Sequence, residues 1–143
     1  MSQKLVIYTD GACKGNPGIG GWGAILIYGA HVKELSGFVA HTTNNRMELT
    51  AVIEALKMVK RACSITVYSD SQYVTRGMSE WLVAWQQRNW KNLKNPDLWQ
   101  ELAHLATQHQ IEWRWVRGHS GDILNERADE LANLAISKAL SIE

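Results

Sequence analysis

The chain reads as an α/β domain with a mixed β-sheet, and three features of its pattern carry that expectation. The runs Leu5-Val6-Ile7-Tyr8-Thr9 and Ile65-Thr66-Val67-Tyr68-Ser69 are apolar and rich in β-branched residues, as in strands covered on both faces. Residues 22–28 and 32–39 show two more strand patterns separated by a tight turn at Gly29, which makes an antiparallel hairpin. Residues 64–69 and 111–116 are each reached through helical stretches, and such crossovers favour parallel pairing. Five strands are expected, the first three antiparallel and the last two parallel, flanked by helices.

Each element has a local reason. Residues 4–10 open the sheet, and a turn-rich stretch from Asp10-Gly11 to Gly21 closes them, with Gly15-Asn16-Pro17-Gly18 as its strongest turn signal. Thr42-Thr43-Asn44-Asn45 offers N-cap side chains for a helix over about 45–60, where Val52, Leu56 and Val59 keep helical spacing. The strand over 64–69 leads into a short helix from Ser71 to near Gly77, and another covers about 80–88. Asn95-Pro96 reads as an N-cap with proline at the first helical position, opening a helix to about 108. Residues 111–116 alternate as a strand with one apolar face, which places Trp113 and Trp115 in the core. A loop from Arg117 to Leu124 precedes a last helix over 125–139, with Ala128, Ala132, Ala135, Ile136 and Ala139 turned inward.

No repeat or linker interrupts the 143 residues, so one domain over 1–143 is expected, and 45% hydrophobic content suits a single core. A net charge of +1 excludes a globally basic nucleic-acid binder, so any basic footprint is local. Cys13 and Cys63 fit neither a disulfide framework nor zinc-ligand spacing and read as reduced thiols. Met1-Ser2-Gln3-Lys4 contains no signal-peptide core, and no apolar stretch approaches membrane-spanning length. The expected location is the cytoplasm, with no membrane association.

Four carboxylates stand where charge is expensive. Asp10 and Asp70 each end an apolar run, at the carboxyl ends of strands where ligands of such sheets bind. Glu48, four residues before Val52, and Asp129, three before Ala132, lie on or beside the packed stripe of their helices. Acids converging on one cleft suit a hard divalent cation such as Mg²⁺. That points to a metal-dependent enzyme. Ordinary roles stay open for two of them: Asp10 as a turn residue before Gly11, and Asp70 as the N-cap of the next helix. Neither role explains Glu48. Glu34, Asp97, Glu101, Glu112 and Glu130 read as solvated surface groups.

His119, set in Gly118-His119-Ser120-Gly121 ten residues before Asp129, has little packing to do and suits proton transfer. His31, His104 and His109 read as exposed neutral groups. Trp81 and Trp85 are one helical turn apart, and residues 81–96 carry Arg88, Lys91 and Lys94 without an acid. Either a nucleic-acid groove or an amphipathic helix with a solvated tail accounts for that stretch.

Taken together, the motifs are more specific than any alone. Thr9-Asp10-Gly11-Ala12-Cys13-Lys14-Gly15-Asn16-Pro17-Gly18, Thr42-Thr43-Asn44-Asn45-Arg46-Met47-Glu48-Leu49, Ser69-Asp70-Ser71-Gln72-Tyr73-Val74, and Gly118-His119-Ser120-Gly121 leading to Asn125-Glu126-Arg127-Ala128-Asp129 closely resemble bacterial type 1 ribonuclease H, with order and spacing intact from about residue 4 to 138. The resemblance implies a ribonuclease H-like fold and endonucleolytic hydrolysis of the RNA strand in RNA–DNA hybrids, leaving 5′-phosphate and 3′-hydroxyl ends. It implies Asp10, Glu48, Asp70 and Asp129 as ligands of two Mg²⁺ ions, with Mn²⁺ as a substitute, and His119 as a proton shuttle or product-release residue. Gly11, Cys13, Asn16, Asn44, Asn45 and Gln72 match RNA-strand contacts. Trp81, with Trp85 beside it, would stack on a deoxyribose, and Thr43 and Asn95 match a phosphate pocket for the DNA strand. The hybrid is the expected partner, with no obligate protein partner and a monomeric state.

The chain departs from the family pattern in places. His41 stands where many bacterial members have arginine, and Arg76 where a glutamine often contacts substrate. The basic segment between Trp90 and Asn95 holds only Lys91 and Lys94, which predicts weaker hybrid binding than in members with a longer lysine-rich segment. Ile123 and Leu124 make the approach to the last helix unusually apolar, without a functional account. Two rivals exist. A non-cutting binder of hybrids or double-stranded RNA would have no reason to keep four acids, and resolvase- or integrase-like nucleases of the same fold usually lack the Asn44-Asn45 pair and the Asn16 loop.

Overall fold

The computed structural model of the chain describes residues 4–118 and 120–141. Strands β1 (Leu5–Cys13), β2 (Gly18–Tyr28), β3 (His31–Thr42), β4 (Ser64–Ser69) and β5 (Gln110–Trp115) form one sheet in the order β3-β2-β1-β4-β5. β1 pairs antiparallel with β2, which pairs antiparallel with β3. On its other side β1 runs parallel to β4, and β4 to β5. The expected mixed sheet is present, with β1 at its centre.

Helices α1 (Asn44–Lys57), α2 (Gln72–Arg76), α3 (Leu82–Gln87), α4 (Pro96–Ala106) and α5 (Ile123–Ser141) complete the fold. One face of the sheet carries the main core, where Ile7, Leu49, Ile53, Leu56, Ile65, Val67, Trp99 and Leu102 are almost fully buried. Burying a side chain of this size contributes roughly 1.5–3 kcal/mol, and this cluster anchors α1 and α4. A smaller cluster of Ile25, Ala128 and Leu131 seats α5 on the opposite face.

Several boundaries differ from expectation, for local reasons. Asp10 does not end its strand: β1 continues to Cys13, pairing with β2 as far as Cys13 opposite Gly20. Gly18, Gly20 and Gly21 read as turn, yet they belong to β2 with Gly23 because close approach requires them; a Cβ at Gly21 would overlap the carbonyl of Ala132 on α5. A Cβ at Gly23 would overlap the carbonyl of Ala128 on α5. Thr43 Oγ1 accepts from the Arg46 N–H at 3.3 Å and so caps α1, as expected of that segment. α5 begins two residues early because Asp122 Oδ1 accepts from the N–H groups of Leu124 and Asn125, both at 3.1 Å. Trp113 packs partly against the core, but Trp115 is 48% exposed. β5 is the edge strand, and at that end the indole N–H donates to the Asp70 carbonyl at 3.0 Å instead of meeting a helix.

Between α2 and α3 the chain does not break. A π-helical turn, Gly77–Trp81, joins them. Beyond Gln87 the helix stops, and the basic segment is a run of turns in which Asn89, Trp90, Asn92 and Asn95 all have φ between 55° and 62°. Asparagine tolerates that left-handed region, and Trp90 is held there by its N–H donating to the Trp85 carbonyl at 2.9 Å. The solvated helical tail is thus replaced by ordered turns.

Candidate metal centre and nucleic-acid interface

The site is assembled by two close backbone approaches around Asp10. Gly11 lies against α1, where a Cβ would overlap the backbone of Met47 and Glu48. Gly23, the register partner of Asp10, lies against α5 at Ala128, next to Asp129. Small residues at these two points bring Glu48 and Asp129 to the central strand. Asp70 follows the last residue of β4, whose Ser69 is level with Thr9.

The outcome is a nest of acids. One carboxylate oxygen each from Asp10, Glu48 and Asp70 lie within 4.8 Å of one another. Asp10 and Glu48 are buried, 3% and 5% exposed, and Asp70 is half-buried. Asp129, half-buried on α5, stands close enough to Asp10 for its carboxylate to raise the Asp10 carboxyl. The Gly11 N–H donates both to Asp10 Oδ1 at 2.8 Å and to Glu48 Oε1 at 2.9 Å, which fixes the two carboxylates relative to each other.

Neither ordinary role for the aspartates survives. Asp10 sits inside a strand, and the N-cap of α2 is Ser71, whose hydroxyl accepts from the Val74 N–H at 3.3 Å. Among the described residues no lysine or arginine pairs with any of the four acids. Burial first, then the neighbouring Asp70 charge and the nearby Asp129 carboxyl, push the Asp10 carboxyl up to about 9. Burial first, and then the charges of Asp10 and Asp70, hold Glu48 well above the usual carboxylate range. Clustered, oxygen-only and lacking a cation of its own, this donor set fits a hard divalent ion. His119 lies outside the described residues. Gly118 packs against Asp70, where a Cβ would stand 3.0 Å from Oδ2.

The other predicted residues fall into two groups beside this nest. In the first, Asn16 Oδ1 accepts from the Asn44 N–H at 3.0 Å, tying the loop after β1 to the start of α1. Cys13 is half-buried, its thiol 3.4 Å from the Thr42 carbonyl, while Asn45 and Gln72 are exposed. In the second, Arg46 joins Thr43 to Asn95: its N–H reaches Thr43 Oγ1, and its guanidinium donates to Asn95 Oδ1 at 3.1 Å and to both oxygens of Asp97. Asn95 Nδ2 in turn donates to the Tyr73 hydroxyl at 3.1 Å, which also accepts from Trp99 Nε1 at 2.9 Å. Both polar ends of the Asn95 side chain are therefore engaged inside the protein, and it does not cap α4. Its backbone is left-handed, φ 57°, with the carbonyl accepting from the Trp99 N–H at 3.1 Å.

Sequence reasoning missed Arg46, Asp97, Tyr73 and Trp99 as a unit. Arg46 and Tyr73 stand inside the quoted motifs, but their partners lie 51 and 26 positions away, a separation no local pattern reveals. Trp81 and Trp85 are half-buried with ring centroids 5.9 Å apart, and the Arg76 guanidinium lies over Trp81. A cleft of about 890 Å³ opens at the other end of the sheet, near Lys60, Cys63 and His109, away from the acids. There His109 is half-buried, its Nδ1 accepting from the Cys63 N–H at 3.3 Å.

Comparison with known proteins gives a consistent result. The sequence profile of the RNase H family matches residues 2–137. The chain is 58% identical over 144 residues to ribonuclease H of Cupriavidus pinatubonensis, covering 97% of this chain and 99% of that one. It is 56% identical over 138 residues to ribonuclease HI of Neisseria meningitidis, covering 93% and 95%. Among solved structures it is similar to LC9-RNase H1, described as a type 1 RNase H with the type 2 active-site motif, at TM-score 0.88 and 34% identity over 96% of this chain and 74% of that one. LC11-RNase H1 in complex with RNA/DNA hybrid superimposes at TM-score 0.73 and 30% identity, covering 96% and 99%.

Proposed function

The chain belongs to the RNase H family, and from that premise we propose that Asp10, Glu48, Asp70 and Asp129 hold two Mg²⁺ ions at which the RNA strand of an RNA–DNA hybrid is cut. The protein is a metal-dependent ribonuclease H, a hydrolase acting on the RNA of such hybrids. The observation that carries the metal assignment is the unpaired nest of carboxylate oxygens within 4.8 Å. When bound, the ions supply Lewis-acid charge to a phosphodiester and its attacking water, giving 5′-phosphate and 3′-hydroxyl products.

The protein's own residues prepare that chemistry. The Gly11 N–H holds one oxygen each of Asp10 and Glu48, leaving their other oxygens for cations. Without cations the four acids would repel a phosphate, so metal and substrate reinforce one another's binding. The Asn16–Asn44 link presents the loop after β1, with Gly11, Cys13, Asn45 and Gln72, to the RNA 2′-hydroxyls. Thr43 and Asn95, joined by Arg46, receive a DNA-strand phosphate. Trp81, backed by Trp85, packs on a deoxyribose that a 2′-hydroxyl would crowd. His119 shuttles a proton. The same reading takes residues 1–143 as one catalytic domain, monomeric and cytoplasmic. No helix among the described residues is long and apolar enough to cross a membrane.

The test is one gel. End-labelled hybrid, duplex DNA and duplex RNA are incubated with Mg²⁺ or with chelator. Cleavage confined to the RNA strand of the hybrid, and lost with chelator, is the expected result. A mobility shift without cleavage would leave only a binding protein.

A further inference from the structure

Arg76 and Trp81 meet in a way that a regular helix would forbid. Residues five apart on an α-helix point about 140° away from each other around the axis. Here the π-helical turn Gly77–Trp81 widens the helix and brings the Arg76 guanidinium carbon to 4.8 Å from the centroid of the Trp81 ring. Such turns are rare and recur at functional sites. Trp81 also packs against Trp85, tilted 50° with centroids 5.9 Å apart. Trp85 rests on Trp99 at 4.7 Å, and Trp99 is fully buried. A continuous aromatic column thus runs from the core to Trp81, and Arg76 stacks on that last ring.

Glu80 holds the arginine there, accepting from Nε at 3.2 Å and from Nη2 at 3.5 Å. Both partners of this ion pair are about half exposed, and exposed pairs one turn apart contribute little on their own. The pair's consequence is geometric: it lays the guanidinium across the indole, where cation–π attraction favours it. We propose that Arg76 is a positioning residue for the DNA strand, stacked on Trp81 so that the indole meets a deoxyribose at one fixed angle, with Glu80 holding the stack. This rests on the reading of Trp81 as a DNA-strand contact. The arginine touches no reacting atom, so its effect belongs in substrate affinity.

Steady-state kinetics on a hybrid test this with the full-length chain and the variants Arg76→Ala, Arg76→Lys, Glu80→Gln, Trp81→Ala and the Arg76→Ala/Trp81→Ala pair. Arg76→Ala should raise KM about two- to fivefold with kcat nearly unchanged, the size of an exposed cation–π contact. Lysine should recover part of the loss, and Glu80→Gln should cost less than Arg76→Ala. In the Trp81→Ala background, Arg76→Ala should change KM no further, because the interaction it removes is already gone. An unchanged KM in Arg76→Ala overturns the proposal. So does an equal rise with and without Trp81 accompanied by a shallower salt dependence, which would make Arg76 a direct phosphate contact. Near-ultraviolet circular dichroism of the substrate-free protein gives an independent reading, since loosening Trp81 must alter its coupling to Trp85. If the wild type cuts no hybrid, the functional reading has failed, and an unaltered dichroism signal in Arg76→Ala would still sink the brace.

Discussion

Two regions a short distance apart on this molecule treat charge in opposite ways. Around Asp10, four acids crowd together and, among the described residues, no basic side chain answers them. Around Asn95, the Arg46 guanidinium meets Asp97 and Asn95, and the Asn95 amide meets Tyr73, so the polar groups are used within the fold. The first region is unfinished and, on the reading proposed above, would take its missing charge from bound cations. The second is finished and offers a ligand shape. A buried charge without a partner costs stability, so the first is where folding energy is given up for chemistry.

The most severe way to break the contrast is to neutralise the unfinished region. Asp10→Asn keeps the size of the side chain and its acceptor for the Gly11 N–H, and removes the carboxyl that burial and the neighbouring acids hold protonated. Turnover with Mg²⁺ should fall by about three orders of magnitude or more, because the central ligand is lost. Metal-free stability should rise by about 1–3 kcal/mol at neutral pH, because folding no longer has to hold a buried carboxyl protonated far above its ordinary range. In a chain of this length that moves Tm upward by several degrees. Near-normal activity in Asp10→Asn would remove Asp10 from the mechanism, and an unchanged Tm would remove the repulsion.

The pH dependence sharpens the same point. Asp10, pushed up to about 9, and Glu48, also raised, keep protons in the folded metal-free protein that the unfolded chain has already released. Stability from these groups is therefore complete below their ordinary carboxylate values and is lost as pH rises through the folded ones. Asp97 and Glu34, held low by Arg46 and Arg127, act in the opposite sense but below that window. Thermal melts in chelator should show Tm declining between about pH 5 and 9, with a shallower decline in Asp10→Asn. Saturating Mg²⁺ should reverse the trend, since the ion binds the deprotonated folded form and shifts stability by mass action. A flat profile in chelator would mean that the acids are compensated after all.

Much of the unfinished region was legible in the sequence, because acids that follow apolar strand runs or sit on apolar helix faces break local pattern rules. The mixed sheet, antiparallel in its first three strands and parallel in its last two, followed from one hairpin and two crossovers. What the sequence concealed was close approach. The Gly18–Gly21 run has turn composition, and only the packing of α5 on Gly21 reveals it as strand. The finished region was concealed for a different reason. Asn95 carries the marks of a helix cap, and its side chain is turned to Arg46 and Tyr73 only because distant segments meet there. Trp115 misled through periodicity, which reports which face a side chain takes but not whether a helix covers that face.

The mildest prediction concerns the finished region. If its role is shape, removing Arg46 should not abolish chemistry, since none of its contacts involves a carboxylate of the metal nest. Arg46→Ala would free Asp97 and leave the half-buried Asn95 Oδ1 without its donor. Its ion pair is partly exposed, side chains 34% and 62%, so the stability loss should be about 1 kcal/mol or less. Asn95 sits in a left-handed conformation that the Arg46 and Tyr73 hydrogen bonds hold in place. Loosening it should raise KM for the hybrid several-fold at constant kcat and spare binding of Mg²⁺ to the substrate-free protein, followed by calorimetry. Arg46→Lys should do almost as much harm, because an ammonium cannot reach Asn95 and both oxygens of Asp97 with one planar fork. A fall in kcat as deep as that of Asp10→Asn would show that the two regions are one machine, and the division drawn between them would not hold.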